Sequence, residues 1–102
     1  MYGTVGRIRI KAGSEKTVID EMKAWERERK PKVDGAVGAL LYKSDDDPQN
    51  LTIAIVFRDQ KTYMANADDP EQDKWFQRIA KHFDGEPSWF DGEIIYSDGI
   101  KG

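Results

Sequence analysis

Ala36-Val37-Gly38-Ala39-Leu40-Leu41-Tyr42 and Leu51-Thr52-Ile53-Ala54-Ile55-Val56-Phe57 flank the polar turn Ser44-Asp45-Asp46-Asp47-Pro48-Gln49-Asn50. Both apolar runs are short, the second rich in β-branched residues, so each reads as a strand and the pair as a hairpin. A strand that covers one face of a core alternates apolar with polar residues. Here Leu40 and Tyr42 oppose Val37, Ala39 and Leu41, while Thr52, Ala54 and Val56 oppose Leu51, Ile53, Ile55 and Phe57. Both faces of the hairpin therefore require cover.

Working outward, Tyr2 to Lys11 alternates, with Thr4, Gly6, Ile8 and Ile10 on one side and Val5, Arg7, Arg9 and Lys11 on the other. This is a first strand, with Arg7 and Arg9 pointing away from the helices and needing carboxylate partners such as Glu93 on that face or from a second copy of the chain. Ser14 is a suitable N-cap for a helix carrying Val18, Ile19, Met22 and Trp25 on one stripe, ending near Pro31. Beyond the hairpin, Asp59 caps a short helix from Gln60 to about Ala67. Asp69-Pro70-Glu71-Gln72 opens another, with Asp at N-cap, Pro at N1 and Gln72 in capping-box position. Trp75, Phe76, Ile79, Ala80 and Phe83 form its apolar face, and Gly85 is the expected residue just past its end. Trp89-Phe90 and Glu93-Ile94-Ile95-Tyr96 complete a last strand.

The order β-α-β-β-α-β, with its second helical region split in two, predicts an α+β ferredoxin-like fold with a four-stranded antiparallel sheet. Residues 1–102 make one domain, since 102 residues leave no room for a second core. Helices on one side leave the hairpin's other face apolar, and a second copy of the chain is expected to cover it.

Composition narrows the chemistry. The absence of cysteine excludes thiolate metal sites and thiol nucleophiles, and a single histidine excludes a multi-histidine site within one chain. Asp45-x-Asp47-x-Gln49 has part of a calcium-loop spacing but lacks its glycine and terminal glutamate, so no metal site is expected. Sixteen basic against nineteen acidic residues, interspersed, give a net charge of -3 and argue against a nucleic-acid or anionic-membrane surface. With no apolar leader and no stretch of ~20 apolar residues, a cytoplasmic protein without membrane segments is expected.

The lead Tyr2-Gly3-Thr4-Val5-Gly6-Arg7-Ile8-Arg9-Ile10-Lys11-Ala12-Gly13, the entry Pro31-x-Val33-x-Gly35-Ala36-Val37-Gly38, and Val56-Phe57-Arg58-Asp59 leading to Tyr63-x-x-Asn66 resemble the antibiotic biosynthesis monooxygenase family of the dimeric α/β-barrel superfamily. The resemblance implies a homodimeric barrel of two facing sheets. It also implies monooxygenase chemistry without a cofactor on a small aromatic or quinol-like substrate, with a non-catalytic binding or structural member of the fold as the alternative. Haem-degrading members carry an asparagine, a tryptophan and a histidine where this chain has Gly6, Asn66, and Trp75 or Phe76. Polyketide oxygenases carry an asparagine and a tryptophan where it has Thr62 and Asn66. No catalytic residue transfers.

The candidate residues are therefore argued individually. His82 is the side chain with an ordinary pKa nearest 7, at the border of the long helix's apolar face, either at a cleft mouth or simply exposed in the last turn. Tyr63 and Asn66 offer a phenol and an amide from neighbouring turns, or else pack and end the short helix. The expected ligand cleft lies between helices and sheet, lined by Gly6, Ile8, Phe57, Tyr63, Asn66, Trp75 and Phe76. Gly6 either leaves room there for a ligand or eases strand twist.

Overall fold

The computed structural model describes residues 1–100. Four strands, β1 (Tyr2–Arg9), β2 (Ala36–Lys43), β3 (Asn50–Phe57) and β4 (Ser88–Glu93), form one sheet in the order β2-β3-β1-β4. Every neighbouring pair is antiparallel. Three helices, α1 (Glu15–Glu28), α2 (Gln60–Ala67) and α3 (Pro70–Ala80), with a 3-10 turn at Lys30–Lys32, complete the ferredoxin-like arrangement with its divided second helical region.

Register assigns the faces. Thr4 pairs with Ile55, Gly6 with Ile53 and Ile8 with Leu51, and on the other side Thr4 pairs with Asp91 and Gly6 with Trp89. Because strand side chains alternate, all of these project toward the helices. There Ile8, Ile10, Val18 and Leu51 form the buried cluster, with Met22, Leu41, Ile79 and Phe83 packed against it. The expected apolar stripe of α1 thus meets the sheet. Ser14 precedes α1 but makes no side-chain cap, whereas Asp59 caps α2 through the Thr62 amide at 2.9 Å and Asp69 caps α3 through the Glu71 amide at 2.9 Å.

The opposite face of the sheet is bare. Val5, Leu40, Tyr42 and Phe90 are 43%, 55%, 55% and 74% exposed on it. The two-sided apolar character read from the hairpin is therefore present as an uncovered surface of the single chain. Among the described residues, no helix is long and apolar enough to cross a membrane.

Several expectations are corrected. The helix α3 stops at Ala80 rather than running through Phe83 to Asp84, so Gly85 does not cap it. The cause is competition with β1: the Lys11 amide donates to the His82 carbonyl at 2.8 Å, and the Asp84 amide to Arg9 at 2.7 Å. These bonds draw the chain into an extended bridge between Ile10 and Phe83. The last strand ends at Glu93 because β1 begins at Tyr2, and the Ile94 amide takes the Met1 carbonyl as its partner at 2.9 Å. Ile95 and Tyr96 are then exposed, with no strand alongside. Glu93 stands opposite Tyr2, far from Arg9 in register, so the expected ion pair with it is not made within the chain. Arg9 instead pairs with Asp47 at 2.8 Å and Asp84 at 3.5 Å. Asp47 is thereby committed to Arg9 and to the Gln49 amide, and no metal-holding cluster occurs among the described residues.

Candidate functional site

A cavity of about 670 Å³ lies between the helices and the sheet. It falls within the ~300–1,000 Å³ range of small-molecule sites. Of the expected cleft residues, Ile8, Phe57, Tyr63, Asn66, Trp75 and Phe76 all line it. Gly6 does not. A Cβ at Gly6 would overlap the Trp89 indole, so the room left by the missing side chain is filled by its cross-strand partner rather than offered to a ligand. His82 is not among the lining residues either: it follows the end of α3, half-buried, where its carbonyl binds the Lys11 amide.

The apolar wall is aromatic. Phe76 lies 6.2 Å from Trp89 in a tilted arrangement and 6.0 Å from Phe83 edge-on. Trp75 carries the Arg78 guanidinium 4.0 Å from its ring centroid, and Arg78 reaches Glu21 of α1 at 2.8 Å, tying α3 to α1 beside the cavity.

Gln72 corrects another expectation. Its side chain does not return to the α3 N-terminus as a capping box would; its Oε1 accepts the Trp25 indole N–H at 2.9 Å. That bond joins α1 to α3 across the cavity roof. Indole nitrogen only donates, so the Gln72 oxygen must face it, leaving the Gln72 amide hydrogens without that partner. Asn66 is held similarly: its Oδ1 accepts from Arg29 Nη2 at 3.2 Å, and Arg29 also pairs with Asp69 at 2.9 Å. Arg29 is nine-tenths buried, so this pairing fixes the junction of α2 and α3.

The polar end of the cavity was only half anticipated. Tyr63 leans on Phe57 at 5.5 Å and Tyr2 at 5.2 Å, and its hydroxyl donates to Asp91 Oδ1 at 3.0 Å. Burial, reinforced by the neighbouring Asp91, pushes the phenol up to about 12, so Tyr63 stays neutral across the physiological range. Thr4 on β1 donates to the Phe90 carbonyl at 3.2 Å and lines the same end. Asp91, Thr4, Trp25 and Trp89 line the cavity as well, outside the cleft that the sequence predicts. Asp91-Gly92 resembles a turn signal, which masks the parity that places Asp91 two residues after Trp89 on the helix-facing side. Thr62, by contrast, is buried in the α2 cap, donating its hydroxyl to Asp59 Oδ1 at 2.8 Å, and does not line the cavity.

No family model matches the sequence, and no curated protein is similar to it at the sequence level. Similar solved structures are numerous in kind. One from Chloroflexus aurantiacus, named as a candidate antibiotic biosynthesis monooxygenase, superposes with a TM-score of 0.76 at 16% identity, over 98% of each chain. Another so named, from Caulobacter crescentus, gives 0.78 at 8% identity over 93% of this chain and 90% of the other. A third, from Nitrosomonas europaea, gives 0.74 at 16% identity over 94% and 100%. Likeness at this level of identity is likeness of backbone. The chain therefore has the fold of the antibiotic biosynthesis monooxygenase structures, as its strand pattern and motifs led one to expect.

Proposed function

We propose that the chain, residues 1–102 acting as one domain, is a homodimeric, cofactor-independent monooxygenase of this type, acting on a small aromatic or quinol-like substrate in the cavity beneath the helices. The observation that carries the reading is that cavity: a largely apolar space of about 670 Å³, in this fold, with Tyr63 and Asn66 among the few polar groups on its wall. The substrate supplies the electrons. In an anthrone-like ring a methylene group gives up two hydrogens, one atom of dioxygen enters as a carbonyl, and the other leaves as water. The protein's part is to desolvate the ring between Trp75, Phe76 and Phe57 and to orient it by the polar groups of Tyr63 and Asn66. The neutral Tyr63 phenol, held by Asp91, supplies a fixed dipole there.

The dimer rests on the sheet face bearing Val5, Leu40, Tyr42 and Phe90, whose exposure is more than a soluble single chain ordinarily carries. A cytoplasmic setting belongs to the same reading.

A second reading, a binding or structural member without catalysis, is favoured by Thr62. It occupies a position where the resemblance calls for an asparagine, yet its hydroxyl is committed to capping α2. Oxygen uptake with a panel of naphthols, anthrones and quinols separates the two. Uptake above a boiled control supports the oxygenase; tight binding without uptake leaves the second.

A further inference from the structure

Where Thr4, Tyr63 and Asp91 meet at the cavity wall, the hydroxyl hydrogens are already committed. Tyr63 gives its one hydroxyl hydrogen to Asp91 Oδ1, and Thr4 gives its own to the Phe90 carbonyl. Asp91 Oδ1 accepts from Tyr63, while Oδ2 has no hydrogen-bond or ion-pair partner among the described residues. Three groups on two strands and one helix, Thr4, Tyr63 and Asp91, therefore present only lone pairs to the cavity they line. A ligand group meeting them has to bring a hydrogen. A ring ether or an unsubstituted ring edge there would remove Asp91 from water without replacing its hydrogen bond, which is unfavourable.

We propose that Asp91 is the specificity-determining residue of this site: its free carboxylate oxygen accepts a hydrogen bond from a hydroxyl on the ligand's aromatic ring, and Tyr63 positions the carboxylate to do so. This rests on reading the cavity as an aromatic-ligand site. A neutral hydroxyl fits better than an ammonium, because the rest of the lining, including Ile8, Ile53, Phe57 and Trp75, would strip a cation of water with little in return. The bond is charge-assisted on the acceptor side, which makes it about twice as strong as a neutral one.

The chain has three tryptophans, and Trp25, Trp75 and Trp89 all line the cavity, so intrinsic fluorescence reports occupancy directly. The test titrates the full chain with 2-naphthol, 2-methoxynaphthalene and 2-naphthylmethylamine, in the wild type and in Asp91→Asn, with circular dichroism confirming that the variant is folded. The expected result is that 2-naphthol binds the wild type at least about tenfold more tightly than either other compound. Asp91→Asn then loses that preference, binding 2-naphthol more weakly and 2-methoxynaphthalene at least as tightly as the wild type does, because the neutral amide costs less to desolvate and can donate to the ether. Tyr63→Phe, which keeps the carboxylate but frees it to turn, reduces the preference by a smaller factor. Equal wild-type binding of the naphthol and its methyl ether, or tighter binding of the amine, overturns the role of Asp91 and leaves the aromatic cavity standing. A preference that survives in folded Asp91→Asn also overturns it. No quenching by any of the three in the wild type overturns the cavity reading and this proposal together. The wild-type comparison decides the matter even where a variant does not fold.

Discussion

Tyr63 shows how far one residue's chemistry is legible before its neighbours are known. Its place on α2 and its reach toward a cleft follow from helical spacing, but its partner, Asp91, lies 28 residues further along the chain. The consequence is measurable. A phenol whose folded-state pKa is raised favours the neutral form in the folded chain. Its contribution to stability is complete below pH ~10, where neither state ionises. It is lost as the pH climbs from there through the folded value of about 12. Wild-type urea midpoints should fall across that window, and those of Tyr63→Phe should fall less. The ultraviolet titration of Tyr63→Phe should also lack the step near pH 12. Gly6 makes the complementary point, because a glycine in a strand signals close approach without saying of what. The approaching group is the Trp89 ring, with Ile53 Cγ2 3.1 Å from where a Cβ would stand. Gly6→Ala is expected to cost ~1–3 kcal/mol through overpacking, read as a lower thermal midpoint.

At the scale of elements, local chemistry dictates starts better than ends. The beginnings of α2 and α3 were legible in Asp59 and in Asp69-Pro70, because a cap is a contact between residues two or three apart. The end of α3 and the length of β4 were not, because each depends on where β1 offers a free backbone partner. Asp69 combines a local with a distant role, capping α3 and pairing with the buried Arg29. Asp69→Ala should lower stability by ~1 kcal/mol for the cap and by more for Arg29, whose charge keeps only Asn66 beside it. Asp69→Asn restores the cap but not the charge, so its urea midpoint should fall between those of wild type and Asp69→Ala. Gln72 shows the limit of motif reading: the capping-box spacing is present, but a donor-only indole from α1 claims the side chain instead.

For the molecule as a whole, the sheet is covered by helices on one side and bare on the other. Leu40 and Tyr42 of β2, Val5 of β1 and Phe90 of β4 form the uncovered face. A dimer through this face predicts a light-scattering mass of twice one chain at micromolar concentration. Leu40→Glu, which places a charge where it would be desolvated in such an interface, should halve that mass while leaving the circular dichroism of the chain unchanged. A wild-type mass of one chain would exclude the face-to-face barrel.

The sequence by itself determined the order of elements, the strand and helix periodicities, the caps of α2 and α3, and the two-sided apolar hairpin, since all are set by residues within a few positions of one another. Of the seven residues it placed in the cleft, all but Gly6 line the cavity, because strand parity and helical spacing sort side chains onto faces. Only the tertiary structure decided that Trp89 fills the space above Gly6, that His82 lies outside the cavity, and that Asp91 faces Tyr63. Those outcomes depend on the register of β1 against β4 and on the competition of β1 with α3 for the same stretch of backbone. Register is a relation between segments more than 80 residues apart, and no local propensity specifies it.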